Sequence, residues 1–202
     1  MKALKRIICL TLALSVVFAM TGCKKAPFSQ DTVRKFAEAE DFEECDEIED
    51  FYDILGQSAS GTYEAYAYVS ATKRDARDLF NTIIYRFEPD KPKYDFTEVT
   101  ALCSNDDDGM FMLVAATFED REDAEKFFKK YPKTVDMNNE DKGEEKSYSY
   151  FIAFDETSYT RNVAVALYMS GNTVIWIRTG ADDCEMVENF CDYFKLISPL
   201  DA

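Results

Sequence analysis

The stretch VAVALYMSGNTVIWIRT, residues 163–179, is the strongest indication of fold class in this chain. Its two apolar runs, residues 163–169 and 173–179, have the length and the β-branched content of strands. Ser170-Gly171-Asn172 between them is typical of a hairpin turn. In the first run alanines alternate with valine and leucine, which would let a helix lie close to one face. Together with residues 148–154, this segment predicts a three-stranded antiparallel meander.

The region upstream of the meander predicts strands and helices in alternation. Residues 62–71 alternate along one strand, and residues 72–87 continue with apolar side chains at helical spacing. A hairpin is predicted from residues 97–103 and 110–118, and a helix from residues 120–131.

Two short segments suggest an internal strand–helix repeat. RDARDLF, residues 74–80, matches EDAEKFF, residues 122–128, in its pattern of charged, small and apolar residues. Each segment follows a predicted strand that ends in Ala-Thr. Two copies of one strand–helix unit indicate a duplicated half of an α+β domain.

The predicted fold is one α+β domain spanning residues 32–202. Three more helices are predicted at residues 32–40, 45–55 and 183–197, whereas the polar residues 133–146 predict a loop. We expect a mostly antiparallel sheet of about six strands, with the helices packed chiefly on one face.

The first 25 residues, MKALKRIICLTLALSVVFAMTGCKK, have the layout of an export signal. Three basic residues precede an uncharged apolar run of 14 residues, and Thr21-Gly22 places small residues ahead of Cys23. A membrane-spanning helix needs roughly 20 apolar residues, so this run is short for a permanent span. The pattern predicts a signal peptide at residues 1–22 and a mature chain that begins at Cys23.

The small residues ahead of Cys23 resemble the signal of bacterial lipoproteins. The resemblance implies that Cys23 is acylated, with fatty acids such as palmitate, and anchors the protein to the extracytoplasmic face of the cell membrane. Lipoprotein signals usually have leucine three places before the cysteine, where this chain has Met20. Residues 23–31 would form the lipidated tether. The alternative is an ordinary signal peptide cut elsewhere, with Cys23 incidental.

Composition excludes several classes of function. The chain has 39 acidic and 23 basic residues, and removing residues 1–22 lowers the net charge from −16 to −19 because they hold three basic and no acidic side chains. A protein this acidic lacks the basic surface that binding to nucleic acid requires. The absence of histidine excludes His-based nucleophilic pairs and His-ligated zinc. No cofactor, metal site or catalytic residue is predicted.

Four cysteines remain beyond the leader and Cys23, and their state is left open. They permit disulfides in an exported protein, or they are small buried apolar residues. Two of them lie seven residues apart in one predicted helix, too far apart to bridge each other. Any two bridges would therefore each join one of that pair to one of the two earlier cysteines. The earlier pair is Cys45 and Cys103, and the helical pair is Cys184 and Cys191.

Two sharper hypotheses compete with a plain binding domain. Ser70-Ala71-Thr72-Lys73 has the Ser-x-x-Lys pattern of penicillin-binding proteins and serine β-lactamases, in which serine is the nucleophile and lysine its base. Ten carboxylates in residues 38–53 suggest an acidic cation-binding surface. Helical apolar spacing in that segment places the acids on a solvated face instead.

The mature region looks like small lipoproteins of Firmicutes and related bacteria. The resemblance is carried by FEDREDAEKFF, residues 118–128, and by the late hairpin GNTVIW, residues 171–176. It implies an envelope location and an α+β fold, but it implies no catalytic activity or ligand for this chain. We therefore expect a lipid-anchored, non-enzymatic domain that binds an unidentified protein or small molecule, with the Ser70/Lys73 enzyme and the cation-binding protein as alternatives.

Overall fold

The computed structural model describes residues 26–58, 65–86, 91–106, 109–135, 137, 139–155, 163–180 and 184–200. Cys23, and with it the predicted leader, lies outside these residues. The helices described are α1 (Gln30–Ala39), α2 (Ile48–Ser58), α3 (Lys73–Ile84), α4 (Arg121–Lys130), a 3₁₀ turn (Tyr131–Thr134) and α5 (Glu185–Phe194). The strands are β1 (Glu43–Glu44), β2 (Ala65–Thr72), β3 (Phe96–Asp106), β4 (Gly109–Phe118), β5 (Asn139–Glu144), β6 (Ser149–Asp155), β7 (Val163–Ser170) and β8 (Thr173–Thr179).

All eight strands join one sheet in the order β1-β2-β3-β4-β8-β7-β6-β5. Neighbours are antiparallel except for the parallel pair β1–β2. The α+β class, the mostly antiparallel sheet and the meander of β6, β7 and β8 are confirmed. The sheet has more strands than the six expected because two edge strands, β1 and β5, add to it.

The predicted loop at residues 133–146 was wrong in part. Tyr131–Thr134 forms a 3₁₀ turn, and Asn139–Glu144 pairs with β6 as strand β5. Its sequence NEDKGE is polar throughout and almost fully exposed. An edge strand is held by backbone hydrogen bonds along one side, so it carries no apolar alternation by which sequence could reveal it.

Helices cover both faces of the sheet, so the expectation that they pack chiefly on one face holds only in part. Helices α2, α3 and α4 pack on one side, which we call the three-helix face. Helices α1 and α5 pack on the other, the two-helix face. Strand β8 explains why: Val174 and Trp176 point to the three-helix face, and Ile175 and Ile177 to the two-helix face.

An aromatic cluster holds the three-helix face together. The Phe80 ring on α3 lies 4.7 Å from Phe96 on β3 and 5.1 Å from Phe127 on α4, measured between ring centroids. The suggested repeat is visible locally, since Ala76 and Ala124 are both fully buried on this face. The two units then diverge: α3 returns to β3 beside β2, whereas α4 leads to β5 at the far edge.

The folded part of the chain begins before residue 32. Phe28 is 1 % exposed, and Ser29 caps α1 in a reciprocal capping box with Thr32. The buried side chain of Gln30 donates through Nε2 to the carbonyl oxygens of Glu98 (3.2 Å) and Ala115 (2.9 Å). Residues 28–31, assigned by sequence to the tether, therefore form part of the domain.

Two tyrosine hydroxyls fix the segment that follows α5. Tyr168 donates to the carbonyl oxygen of Ile197 at 2.5 Å, and Tyr148 accepts from the backbone N–H of Ile197 at 3.2 Å. Burial raises the pKa of Tyr168 well above its usual value, so the phenol stays protonated and keeps donating.

Tyr168→Phe should lower the free energy of unfolding by about 1–2 kcal/mol, because the Ile197 carbonyl loses the short hydrogen bond from the Tyr168 hydroxyl. Urea denaturation followed by circular dichroism measures the loss. Tyr193→Phe is the matched control, since Tyr193 is 50 % exposed, and its change should stay within about 0.5 kcal/mol. Equal losses in the two variants would contradict this role for Tyr168.

Candidate functional site

A cleft of about 490 Å³ opens on the three-helix face, and we call it the Trp176 cleft. Its floor is the end of the sheet where β4 and β8 meet, with Met112, Trp176 and Arg178. Its walls come from α2, from the C-terminal end of α3 and from the 3₁₀ turn. Trp176 and Arg178 share a face because alternate residues of a strand point the same way. The volume lies in the range of small-molecule sites, roughly 300–1,000 Å³.

Tyrosines and threonines supply the hydrogen-bonding groups of the cleft. Tyr52 on α2 and Thr82 on α3 both line it, and their side chains are hydrogen-bonded to each other. Burial raises the pKa of Tyr52, against the opposing effect of that hydrogen bond. Tyr52 is therefore neutral near pH 7, which suits hydrogen bonding and does not suit a general base.

Trp176 joins the floor of the cleft to the 3₁₀ turn. Its side chain is 3 % exposed, and its ring lies edge-on to Tyr131 with 6.4 Å between centroids. The indole Nε1 is buried and has no hydrogen-bond acceptor among the described residues. A buried unpaired donor costs about 1–3 kcal/mol, and such costs often mark functional sites.

The charge of the cleft is opposite to that of the protein. Among the described residues that line it there is no aspartate or glutamate, although the chain contains 39 acids. The charged lining residues are Arg86 and Arg178. Arg178 is exposed and forms no ion pair with any residue that the structure describes. The cleft is thus a positive patch on a protein of net charge −16.

The same lining is poor in catalytic chemistry. Its described residues include no serine, cysteine, lysine or carboxylate, so they offer no nucleophile paired with a base. Arginine is always protonated, and the tyrosines have high intrinsic pKa values. The arrangement can bind and orient a ligand, but the described side chains provide no proton acceptor near neutral pH.

A second groove, of about 510 Å³, lies on the other side of the 3₁₀ turn. Tyr131 and Thr134 line the Trp176 cleft, whereas Pro132 and Lys133 line the second groove. This division follows from 3₁₀ geometry, in which residues three apart lie above each other. The groove runs beside the exposed edge strand β5 and includes no tryptophan.

The structure separates the residues of the Ser-x-x-Lys pattern. Ser70 lies within β2 and its Oγ is 2.8 Å from Oγ1 of Thr100 on β3. Lys73 is the first residue of α3, is exposed, and has a left-handed φ of 55°. No hydrogen bond joins Ser70 to Lys73 in the described part of the chain. The Ser-x-x-Lys mechanism has the serine and the lysine on one helix. Here strand β2 continues to Thr72, so Ser70 lies on the strand and only Lys73 lies on the helix.

The acidic segment does not assemble a cation site. Glu43–Glu44 forms the exposed strand β1, and Glu49 and Asp50 lie in the first turn of α2. In the residues that the structure describes, no three acids or cysteines lie close enough together to hold a metal ion.

The four cysteines of the domain are buried and are not joined in disulfides. Cys45 and Cys103 belong to the core of the three-helix face, and Cys184 and Cys191 to that of the two-helix face. Of the two alternatives that the sequence left open, the structure shows the small buried residues, and crossed bridges would have to join cysteines on opposite faces of the sheet. Burial raises the pKa of the Cys103 thiol to about 12, which leaves it unreactive.

Comparison with protein-family models, with curated proteins and with solved structures found no match to this chain. None of the described helices is long and apolar enough to cross a membrane.

Sequence analysis missed most of this cleft. Residues 173–179 predict only an apolar strand of the meander, so neither Trp176 nor Arg178 was singled out. One local signal was available: Arg178 lies two residues after Trp176 and so on the same face of β8. Val174 and Trp176 on this face of β8 are apolar, and an arginine as the next side chain indicates that no helix covers that end of the sheet.

A thiol titration tests the cysteine assignment. In protein that begins at residue 26, we expect Ellman's reagent to detect almost no thiol in the native state and four after unfolding in guanidinium without reductant. A Tyr193→Cys variant, with its exposed thiol, should react before unfolding. Detection of two thiols or none after unfolding would mean that disulfides form.

Proposed function

We propose that this protein is a lipid-anchored, extracytoplasmic binding protein of the bacterial envelope that holds a small molecule in the Trp176 cleft without transforming it. The observation that carries the proposal is the cleft itself. It has the volume of a ligand site, aromatic and hydrogen-bonding walls, and no nucleophile–base pair among its described residues. An unidentified protein partner is the alternative occupant of the domain's surface.

The anchor is supported by the leader and by where the domain begins. The basic, apolar and small-residue regions end at Cys23, and Phe28 is already buried. Residues 24–27 would then be the whole link, which reaches at most about 18 Å when fully extended. An acylated Cys23 would hold the domain directly at the membrane surface.

The cleft opens on the face of the sheet opposite to the helix that follows the proposed link. Helix α1, which follows the link, lies on the two-helix face, whereas the cleft opens on the three-helix face. Along β4, Gln30 contacts Thr117, and Met112 lines the cleft. Five residues of strand separate the two, or about 17 Å. A tethered domain could therefore take up a ligand from the aqueous side.

Cys23→Ala should move the protein from the membrane fraction to the soluble or secreted fraction, because the lipid is the proposed source of membrane affinity. Cell fractionation with immunoblotting measures the shift. Cys9→Ala makes the same substitution inside the predicted leader and should leave localisation unchanged. Retention of the Cys23→Ala variant in the membrane would refute the anchor.

The cleft is tested with N-phenyl-1-naphthylamine, a neutral apolar fluorophore. Trp176 is the single tryptophan of the chain, so energy transfer from tryptophan to the dye reports binding near it. We expect saturable transfer with one dye per protein. The processed protein, residues 23–202 carrying Cys23→Ala, keeps lipid out of the measurement.

Gly56 provides a matched pair of variants for this experiment. It lines the cleft on α2, and a Cβ there would meet no atom within 4 Å. Gly56→Ala should bind the dye as before, and both variants should be at least as stable because glycine disfavours a helix. Gly56→Phe should fill the space and weaken binding at least tenfold. Unchanged binding by Gly56→Phe would show that the dye binds elsewhere.

A further inference from the structure

The geometry points to a ligand class: we propose that the Trp176 cleft selects small apolar or aromatic molecules that carry one anionic group, a carboxylate, sulfonate or phosphate, and that Arg178 is the residue that recognises this group. The inference rests on the proposed function, since it names the ligand of the same cleft.

The position of Arg178 is difficult to explain by folding alone. It lies on β8 in the middle of the sheet, paired in register with Met112 on β4 and Val165 on β7. Its two strand neighbours are therefore apolar, and Val165 is buried. If a helix covered this part of the sheet, an apolar side chain would be expected at position 178. An exposed arginine here solvates the floor of the cleft and leaves its guanidinium available.

The guanidinium of Arg178 has no carboxylate partner among the described residues, in a chain with 39 acids. Arginines elsewhere in the domain do find partners: Arg34 pairs with Glu98, and Arg77 with Asp95. A planar guanidinium matches carboxylate and phosphate oxygens through two parallel hydrogen bonds. A ligand anion would supply the partner that the described protein does not.

Arg86 adds to the positive charge of the cleft from the wall at the end of α3. It follows the C-terminal end of α3, where a cation is also favoured by the helix dipole. Arg86 therefore has a structural reason for its position, and the inference depends on Arg178.

Apolar and aromatic side chains define the rest of the ligand. Leu55, Ile83 and Met112 line the cleft together with Tyr85 and Tyr131. The surface of the cleft thus offers a hydrocarbon or ring-binding region beside one cationic end. A purely inorganic anion would leave that region unfilled, and a cation would meet no acid among the described lining residues.

The experiment compares two dyes that differ by one group. N-Phenyl-1-naphthylamine is neutral, and 8-anilinonaphthalene-1-sulfonate has the same rings with a sulfonate. Both are titrated into the processed protein with Cys23→Ala; energy transfer from Trp176 reports binding near it, and its loss in Gly56→Phe assigns that binding to the cleft. We expect the sulfonate to bind at least tenfold more tightly than the neutral dye.

Variants assign the preference to Arg178. Arg178→Gln should reduce the preference to less than threefold, chiefly by weakening binding of the sulfonate. Arg178→Lys should retain part of it, because the charge remains while the forked geometry is lost. Arg74→Gln is the matched control: Arg74 is on α3, its side chain is 89 % exposed and it does not line the cleft. This variant should keep the full preference, and thermal unfolding should show all three variants folded.

The outcomes separate the inference from the function on which it rests. If both dyes bind equally and Gly56→Phe abolishes both, the cleft is a binding site and the anionic class is refuted. If the preference is present but survives in Arg178→Gln, the role of Arg178 is refuted. If neither dye produces energy transfer, or Gly56→Phe changes nothing, the proposed function of the cleft fails and the inference fails with it.

Discussion

The structure depends on burying both faces of its central strands. Strand β4 places Leu113 and Ala115 on the two-helix face, and Val114 and Ala116 on the three-helix face. Strands with apolar residues on both sides must be covered on both sides. Helices α1 and α5 cover one face, and α2, α3 and α4 the other. The Trp176 cleft exists where this coverage stops, at the ends of α2 and α3.

Much of the fold could be predicted from sequence, because the governing signals are local. The turn at Gly171, the apolar runs of β7 and β8, and the helical spacing before Phe80 and Phe127 each lie within about ten residues. The face of the sheet on which each helix packs was harder to predict from sequence. The near-continuous apolar sequence of β8 fits coverage on either face or on both. Strand β5 was missed because NEDKGE pairs through its backbone and has no buried side.

The candidate site was harder to predict than the fold, for a related reason. Its members come from α2, α3, the 3₁₀ turn and two strands, so Tyr52 and Trp176 approach each other across more than a hundred residues of chain. No periodicity connects such positions. Short spacing in sequence is no better a guide to a site: Ser70 and Lys73 are three residues apart, yet one belongs to a strand and the other to a helix.

The strands at both edges of the sheet carry charged side chains. Strand β1 is Glu43–Glu44, and β5 carries Glu140, Asp141, Lys142 and Glu144, nearly all exposed. Proteins confined to a membrane plane meet one another far more often than the same number in free solution, and bare strand edges then invite sheet-to-sheet polymerisation. Two copies approaching by the β1 edge would bring glutamates against glutamates. Charge repulsion at these edges would keep neighbouring copies from joining into a continuous sheet.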